Sequence, residues 1–191
     1  MTTIAIRPAM IADARAIAEI HVQAWRETYA GLLPKTLLDR LSVERRATWW
    51  RGLLDGTNNP GGTAAFIAVD AHDEAVGFSS FGRQRDAELG AAGFDGEFET
   101  IYLLDHAKRQ GIGRRLMTTT AVAMLTGGYC GAALWVLREN DPARRFYEAM
   151  GAAIVGEREE RRSDDLVMRE IAYGWRDLGS LSALSCSSTN A

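Results

Sequence analysis

The sequence predicts a single α/β domain built around one mixed sheet. The 191 residues suffice for one domain with its own core but not for two ordinary domains. Apolar residues make up 47% of the chain and charged residues 25%, as in globular proteins. Strand-like and helix-like apolar patterns follow one another in the order β, two helices, three strands, α, β, α, β, β.

Composition and charge exclude several classes of protein. The net charge of −3 gives no reason to expect a nucleic-acid partner. Cys130 and Cys186 lie far apart and predict neither a disulfide framework nor a metal site. The first residues lack the long apolar core of a signal peptide, and no run of about 18 apolar residues predicts a membrane span. We therefore expect a cytoplasmic protein with no membrane partner and no metal.

The N-terminal part of the chain is predicted to contain one strand and two helical regions. Residues 3–7 alternate weakly and form the strand. Asp13 can cap the helix that follows, which fades near Gly31. Pro34 suits the first position of the second helical region, and the Gly-rich run at 56–62 ends that region.

The rest of the chain is predicted to alternate strands and helices. Strands are expected at 64–69, 75–83 and 96–104, with a loop at 86–95. A helix at 111–126, a buried strand at 132–137, a helix at 142–150 and a hairpin of 153–159 with 166–172 follow. The predicted domain spans residues 3–178, and residues 179–191 are expected to form a flexible, Ser-rich tail.

The most informative segment is a glycine-rich turn between the third strand of the meander and the next helix. Gly111 and Gly113 stand at the helix start, where free backbone N–H groups and the helix dipole favour an anion. Lys108, Arg109 and Arg114 add positive charge, so a phosphate or pyrophosphate is the natural ligand. The turn lacks the third glycine of a dinucleotide fingerprint and the Gly-Lys-Ser/Thr of a P-loop. Close packing of helix on strand would also explain the two glycines.

Two segments together resemble the GNAT superfamily of N-acetyltransferases in its bacterial form. Residues 108–113, Lys-Arg-Gln-Gly-Ile-Gly, are similar to its motif A, Gln/Arg-x-x-Gly-x-Gly/Ala, with lysine at the first position. Residues 140–151 match motif B, Asn-x-x-Ala-x-x-Phe-Tyr-x-x-x-Gly, with Asp141 as a possible N-cap of its helix and Pro142 as the first residue. The resemblance implies a GNAT-type, mostly antiparallel central sheet flanked by helices, and acetyl-CoA as the acyl donor.

The resemblance also implies which residues bind the donor. The loop would wrap the CoA pyrophosphate, and the preceding strand would hydrogen-bond the pantetheine arm through its backbone. Asn140, which is otherwise a plain turn residue, would contact the pantetheine or adenine arm. The predicted donor-binding residues are Ile101, Tyr102, Leu103, Lys108, Arg109, Gln110, Gly111, Ile112, Gly113, Arg114 and Asn140.

Acetyl transfer to an amine needs an oxyanion stabiliser, a proton for the departing thiolate and a neutral amine. Backbone N–H groups of Tyr102 or Leu103 could hold the thioester oxygen. The resemblance places Tyr147 near the CoA sulfur as general acid, and a phenol with a pKa of about 10 stays protonated. Glu97 and Glu99 are candidate bases, and a period of two would put them on one face of their strand with Ile101 and Leu103. Of the two, Glu97 has the spacing before the glycine-rich turn at which the resemblance implies the base, acting directly or through water. Both could instead lie at a solvated strand end.

Three aromatic side chains mark a candidate acceptor site. His21, Trp25 and Tyr29 recur at i, i+4 and i+8 and share one face of the first helix. Relatives border the acceptor pocket with this region, and the stripe could hold an amine by cation–π contact. Core packing is the alternative interpretation.

These features predict an N-acetyltransferase that moves an acetyl group from acetyl-CoA to a primary amine of a small molecule or peptide. A homodimer is expected, as in many relatives. A non-catalytic acyl-CoA-binding sensor is the alternative, although it would not need Tyr147 or Glu97. A doubly wound nucleotide-binding fold fits poorly, because its glycine turn would follow the first strand.

Overall fold

The computed structural model describes residues 4–163 and 166–184 of the chain. The seven α-helices within these residues are α1 Ala14–Tyr29, α2 Lys35–Asp39, α3 Val43–Leu54, α4 Ala87–Ala91, α5 Ile112–Thr126, α6 Asp141–Ala149 and α7 Leu178–Ala183. The strands are β1 Ala5–Pro8, β2 Ala64–Val69, β3 Ala75–Arg83, β4 Gly96–Leu103, β5 Ala132–Leu137, β6 Ala153–Ser163 and β7 Leu166–Trp175. None of the helices in the described part of the chain is both long and apolar enough to cross a membrane.

One seven-stranded sheet runs through the domain in the order β1-β2-β3-β4-β5-β7-β6. All neighbours are antiparallel except β4 and β5, so the predicted fold class is confirmed. The parallel pair is short, since only Gly96 with Ala132 and Glu97 with Ala133 are in register. Beyond these residues the two strands separate, and the sheet has a wedge-shaped opening at its centre.

Helices cover both faces of the sheet. On one face α1 and α3 bury Ile17 and Trp50 against Phe78 of β3. On the other face α5 and α7 bury Met117 and Leu181 in the same cluster as Phe98 of β4. Strand β5 lies between β4 and β7 and is apolar throughout, as its central position requires. The two helical layers therefore enclose the wedge from opposite sides.

The structure has a helix at two places where the sequence prediction has none, and both strands of the outer hairpin, β6 and β7, are longer than predicted. The predicted loop at 86–95 contains the short helix α4, whose N-cap Asp86 accepts hydrogen bonds from the backbone N–H groups of Glu88 and Leu89. Residues 179–183, placed by the sequence in a flexible tail, belong to α7, because Leu178 and Leu181 are buried against the core. Residues 185–191 of the predicted tail lie outside the described residues.

Candidate active site

A cleft of about 910 Å³ opens where β4 and β5 separate. Its walls come from both strands, the end of α1, the turn before α5, and α6. The closed end of the wedge is marked by Trp175, which is paired with Ala132 at the base of β5. The rings of Phe98 and Tyr147 both contact Trp175, with centroids 5.4 Å and 6.2 Å away, and both residues line the cleft. Tyr147 therefore lies toward the closed end.

The backbone of β4 offers unpaired polar groups to the cleft. The N–H of Leu104 donates to the carbonyl of Val76 in the neighbouring β3. Hydrogen-bonded and non-hydrogen-bonded pairs alternate in an antiparallel ladder, so Tyr102 also bonds with β3. Ile101 and Leu103 then point their N–H and C=O groups away from β3, toward the side where β5 has separated. Of the two predicted oxyanion donors, this alternation leaves Leu103 with the available N–H.

The glycine turn is shaped by two residues with left-handed backbone. Gly111, the N-cap of α5, has φ +77°, and Arg109 has φ +58°. A Cβ at Gly111 would meet nothing within 4 Å, so the turn faces open space there. A Cβ at Gly113 would lie 3.3 Å from Leu103 Cδ1 and 3.5 Å from Phe146 Cζ. Gly111 thus serves the turn, and Gly113 serves the close packing of α5 on β4 and α6.

The cleft end near α5 can hold an anion. The first N–H groups of α5 have no intrahelical acceptor and carry the positive end of the helix dipole. Arg114 donates from Nη2 to the carbonyl of Leu184 at 2.9 Å, while its buried Nε has no partner. Lys108 pairs with Asp105 at 2.6 Å. The cationic side chains that line the cleft in the described part of the chain are Lys108, Arg109, Arg114 and Arg145.

Two residues of the predicted donor loop do not line the cleft. The Gln110 side chain donates to the carbonyl of His106 at 2.7 Å. Ile112 is buried in a small core cluster with Leu116. Any contact of Gln110 or Ile112 with a ligand in the cleft would therefore come from the backbone.

Asn140 and Tyr147 are both buried residues of the cleft wall. Asn140, rather than the predicted Asp141, is the N-cap of α6, because its side chain accepts from the N–H of Ala143 at 3.3 Å. Pro142 is then the second residue of α6 rather than the first. Burial raises the pKa of Tyr147 above its ordinary value, so the phenol is neutral at physiological pH.

The two candidate bases lie in different surroundings. Glu97 receives two hydrogen bonds from the Arg85 guanidinium, at 2.6 Å and 2.9 Å, and does not line the cleft. Glu99 lines the cleft and accepts from the Thr63 hydroxyl at 2.9 Å. Burial is the main cause that raises the pKa of Glu99 above its usual value.

The expected alternation of β4 is interrupted at Glu99. The register with β3 shifts there, so that Glu99 and Thr100 both contact the Ser80 hydroxyl, at 3.3 Å and 2.7 Å. Ile101 instead packs with the core cluster of α5. The prediction that Glu99 shares a face with Ile101 and Leu103 is wrong, because a β-bulge inserts one extra residue and reverses the alternation.

The aromatic stripe of α1 divides between core and cleft. His21 is 4% exposed, accepts from Trp50 Nε1 at 3.3 Å and does not line the cleft. Burial and then the charge of Arg46 lower the pKa of His21 to about 3. Trp25 donates to the Tyr102 hydroxyl at 2.9 Å from behind the cleft wall, and Tyr29 lines the cleft itself. The structure thus brings Tyr29, but not His21, to the cleft.

Several cleft residues were missed by the sequence analysis. The sequence analysis treated Arg145 only as a variable position of motif B. Trp135 was assigned to a buried strand, but it alternates with the core residues Leu134 and Val136 and faces the other side. Glu27 lies two residues before Tyr29 and lines the cleft with it. Trp135 had no local signal because β5 is apolar on both faces, and Glu27 had none because the wall it joins depends on tertiary packing. No three His, Cys, Asp or Glu side chains in the described ranges are grouped to hold a metal ion.

Comparison with known proteins identifies the family. Residues 16–152 match the Acetyltransferase (GNAT) family, which is more than half of the chain. The uncharacterized N-acetyltransferase YuaI of Bacillus subtilis (strain 168) is 32% identical over 182 residues, covering 95% of this chain and 98% of YuaI. The chain belongs to the GNAT acetyltransferase family, and it is an acetyl-CoA-dependent N-acetyltransferase. The non-catalytic alternative finds no support among these relatives.

Solved structures share the fold. PaiA N-acetyltransferase from Thermoplasma acidophilum, in complex with coenzyme A, is 20% identical with a TM-score of 0.65, covering 91% of this chain and 99% of PaiA. YncA from Salmonella typhimurium, with its cofactor acetyl-CoA, is 19% identical with a TM-score of 0.67, covering 92% of this chain and 94% of YncA. The wedge between β4 and β5 therefore occurs in a fold that binds CoA compounds in these relatives.

Proposed function

We propose that the protein transfers an acetyl group from acetyl-CoA to the primary amine of a small molecule or peptide. The observation that carries this proposal is that one continuous cleft contains both an anion-binding end and an end with candidate catalytic side chains. Its α5 end has cations and free N–H groups, and Glu99 and Tyr147 lie toward its closed end. Phosphates and a reacting thioester need these two environments in one site.

The residues present fit CoA. The buried, unpartnered Nε of Arg114 and the open space over Gly111 suit an anion that lies against the start of α5. Arg109 and Arg145 face the same cleft from the turn and from α6. The outward-facing N–H of Ile101 and the outward-facing C=O groups of Ile101 and Leu103 suit the amide groups of a pantetheine arm.

The chemistry follows from the groups at the closed end. Acetyl-CoA supplies an acetyl group activated as a thioester. Glu99 accepts the proton of the attacking amine, directly or through water, as the N–C bond forms and the C–S bond breaks. The N–H of Leu103 stabilises the developing charge on the acyl oxygen.

Tyr147 acts on the departing sulfur. Because burial keeps its pKa above that of a thiol, Tyr147 stabilises the thiolate chiefly as a hydrogen-bond donor. The sulfur leaves as a thiolate, and the proton that Glu99 took from the amine is released to solvent. We therefore keep Tyr147 as the residue that acts on the sulfur, but as a hydrogen-bond donor and not as a full proton donor.

We also propose that the protein is cytoplasmic, that it forms a homodimer, and that its functional domain is the predicted span 3–178 extended to include α7, whose Leu181 is buried in the core. The support is the expectation from the sequence. Light scattering on the purified chain tests the dimer, since a monomer mass would exclude it.

Replacement of the two glutamates tests the assignment of the base. Glu99→Gln should lower kcat for amine acetylation by about 100-fold, the lower end of general-base contributions. Glu97→Gln is the matched control on the same strand, and it should retain most of the activity because Glu97 is engaged by Arg85. Equal losses in both variants, or a loss confined to Glu97→Gln, would refute Glu99 as the base.

A further inference from the structure

The two sides of the cleft differ in charge. The cationic residues that line it, among those the structure describes, all lie on the turn before α5, on α5 itself or on α6. The opposite side is formed by the end of α1, the bulged face of β4 and Trp135 of β5. This second side, which we term the α1 side, is where an acceptor can approach the closed end.

The α1 side is acidic. Glu27 and Glu99 line it, and no lysine or arginine lines it within the described residues. Glu27 accepts from the N–H of Asp105 at 3.0 Å and from the Gln23 side chain at 2.9 Å, which fixes its carboxylate where the α1 side meets the turn before α5. Glu99 is held by Thr63 and Ser80 at the bulge. A cation is favoured here and a second carboxylate is disfavoured.

Arg158, which lies behind this side, is compensated by two carboxylates. Arg158 stacks on the Trp135 ring at 4.1 Å and is hydrogen-bonded to Glu170 at 2.7 Å. A second carboxylate, Asp86, lies 3.4 Å from the same guanidinium. Two carboxylates therefore face one guanidinium, and Arg158 is not available to bind an anionic group of a substrate.

The same side also has an apolar surface. Tyr29, Leu32 and Trp135 line it, and Leu32 is 39% exposed. The rings of Tyr29 and Trp25 pack edge to face with centroids 5.0 Å apart, which supports the wall from behind. Such a surface suits the hydrocarbon body of an amine.

We propose that the acceptor is a primary amine that binds as its ammonium ion and loses one proton to solvent before it attacks as the neutral amine, with an apolar or aromatic body and no carboxylate beside the reacting nitrogen. This inference rests on the proposed function and names its substrate class. Amino acids with a free α-carboxylate are disfavoured, because that carboxylate would face Glu27 and Glu99 on a side where no lysine or arginine of the described residues lines the cleft. Amines that correspond to decarboxylated amino acids are favoured.

Three matched acceptors test the proposal: phenethylamine, L-phenylalaninamide and L-phenylalanine. Phenethylamine lacks the carboxylate of phenylalanine. L-Phenylalaninamide replaces that carboxylate with a neutral amide of similar size. We expect kcat/KM with acetyl-CoA to be at least tenfold higher for phenethylamine and for the amide than for the amino acid. Acetylation of phenylalanine as efficiently as of either comparison amine would overturn the proposal.

A variant locates the effect at the α1 side. Glu27→Gln should narrow the preference for phenethylamine over phenylalanine at least threefold, because one repelling charge is removed. Glu19→Gln, an exposed position on the same helix and outside the cleft, should leave the preference unchanged. An unchanged preference in Glu27→Gln would refute the proposed role of Glu27.

The failures of the two proposals are distinguishable. If the protein binds acetyl-CoA in a calorimetric titration but acetylates none of the three acceptors, the acceptor class is wrong and the donor site stands. If acetyl-CoA itself does not bind, the proposed function fails and the acceptor class falls with it.

Discussion

The stability of the protein should depend on pH through His21. Burial lowers the pKa of His21 from 6.5 to about 3. Below pH 6.5 the unfolded chain takes up a proton at this imidazole that the folded chain takes up only near pH 3, so stability falls as the pH falls. Each pKa unit corresponds to about 1.4 kcal/mol. Between pH 7 and pH 5 this histidine should therefore cost about 2 kcal/mol of folding free energy.

Urea unfolding followed by circular dichroism at pH 7 and pH 5 measures this cost. His21→Gln removes the titrating group, so its loss of stability over that interval should be smaller than that of the wild type by about 2 kcal/mol. His72→Gln, which replaces an exposed histidine, should behave as the wild type. A His21→Gln variant with the full pH dependence of the wild type would refute a buried, neutral His21. If the variant instead loses acceptor affinity and keeps its stability, His21 is a substrate-binding residue after all.

Two further predictions concern the cleft. Tyr147→Phe should lower kcat at least about tenfold and leave the Kd of acetyl-CoA within about twofold, because the hydroxyl acts on the departing sulfur; an unchanged kcat would contradict this role. Arg145→Gln should weaken acetyl-CoA binding about threefold, the size of one exposed charge contact, while Arg144→Gln, whose side chain bonds with Tyr173, should not. Equal affinities of the two arginine variants in calorimetry would exclude Arg145 from the donor site.

The parts of the fold that follow local rules could be predicted from the sequence. The glycine turn was predicted at Gly111 because a glycine at a helix start allows close approach of a ligand, and the structure adds that its backbone is left-handed, which favours glycine. The strand 132–137 was predicted with the bounds that β5 has, because an uninterrupted apolar run suits a strand enclosed on both sides. The fold class could be predicted because each strand and helix has its own local pattern, and the order of these elements indicates a mixed α/β sheet.

The features that create the cleft depend on contacts between distant segments. The separation of β4 from β5 has no local signal, since both strands continue with residues that suit a sheet. The bulge at Glu99 depends on Thr63 and Ser80, which lie far from it in sequence. Helical spacing grouped His21 with Tyr29, and only the packing of Trp50 against His21 shows that the imidazole belongs to the core. Periodicity therefore identifies a face of a helix but not which part of that face reaches a cavity.

Calorimetric titration with acetyl-CoA, with NAD and ATP as controls, tests the central claim most directly. The cleft offers free N–H groups at the start of α5, the unpartnered Nε of Arg114 and the open backbone of Ile101 and Leu103. The account predicts micromolar binding of acetyl-CoA and much weaker binding of both controls. Absence of acetyl-CoA binding, or binding no tighter than that of NAD and ATP, would contradict it.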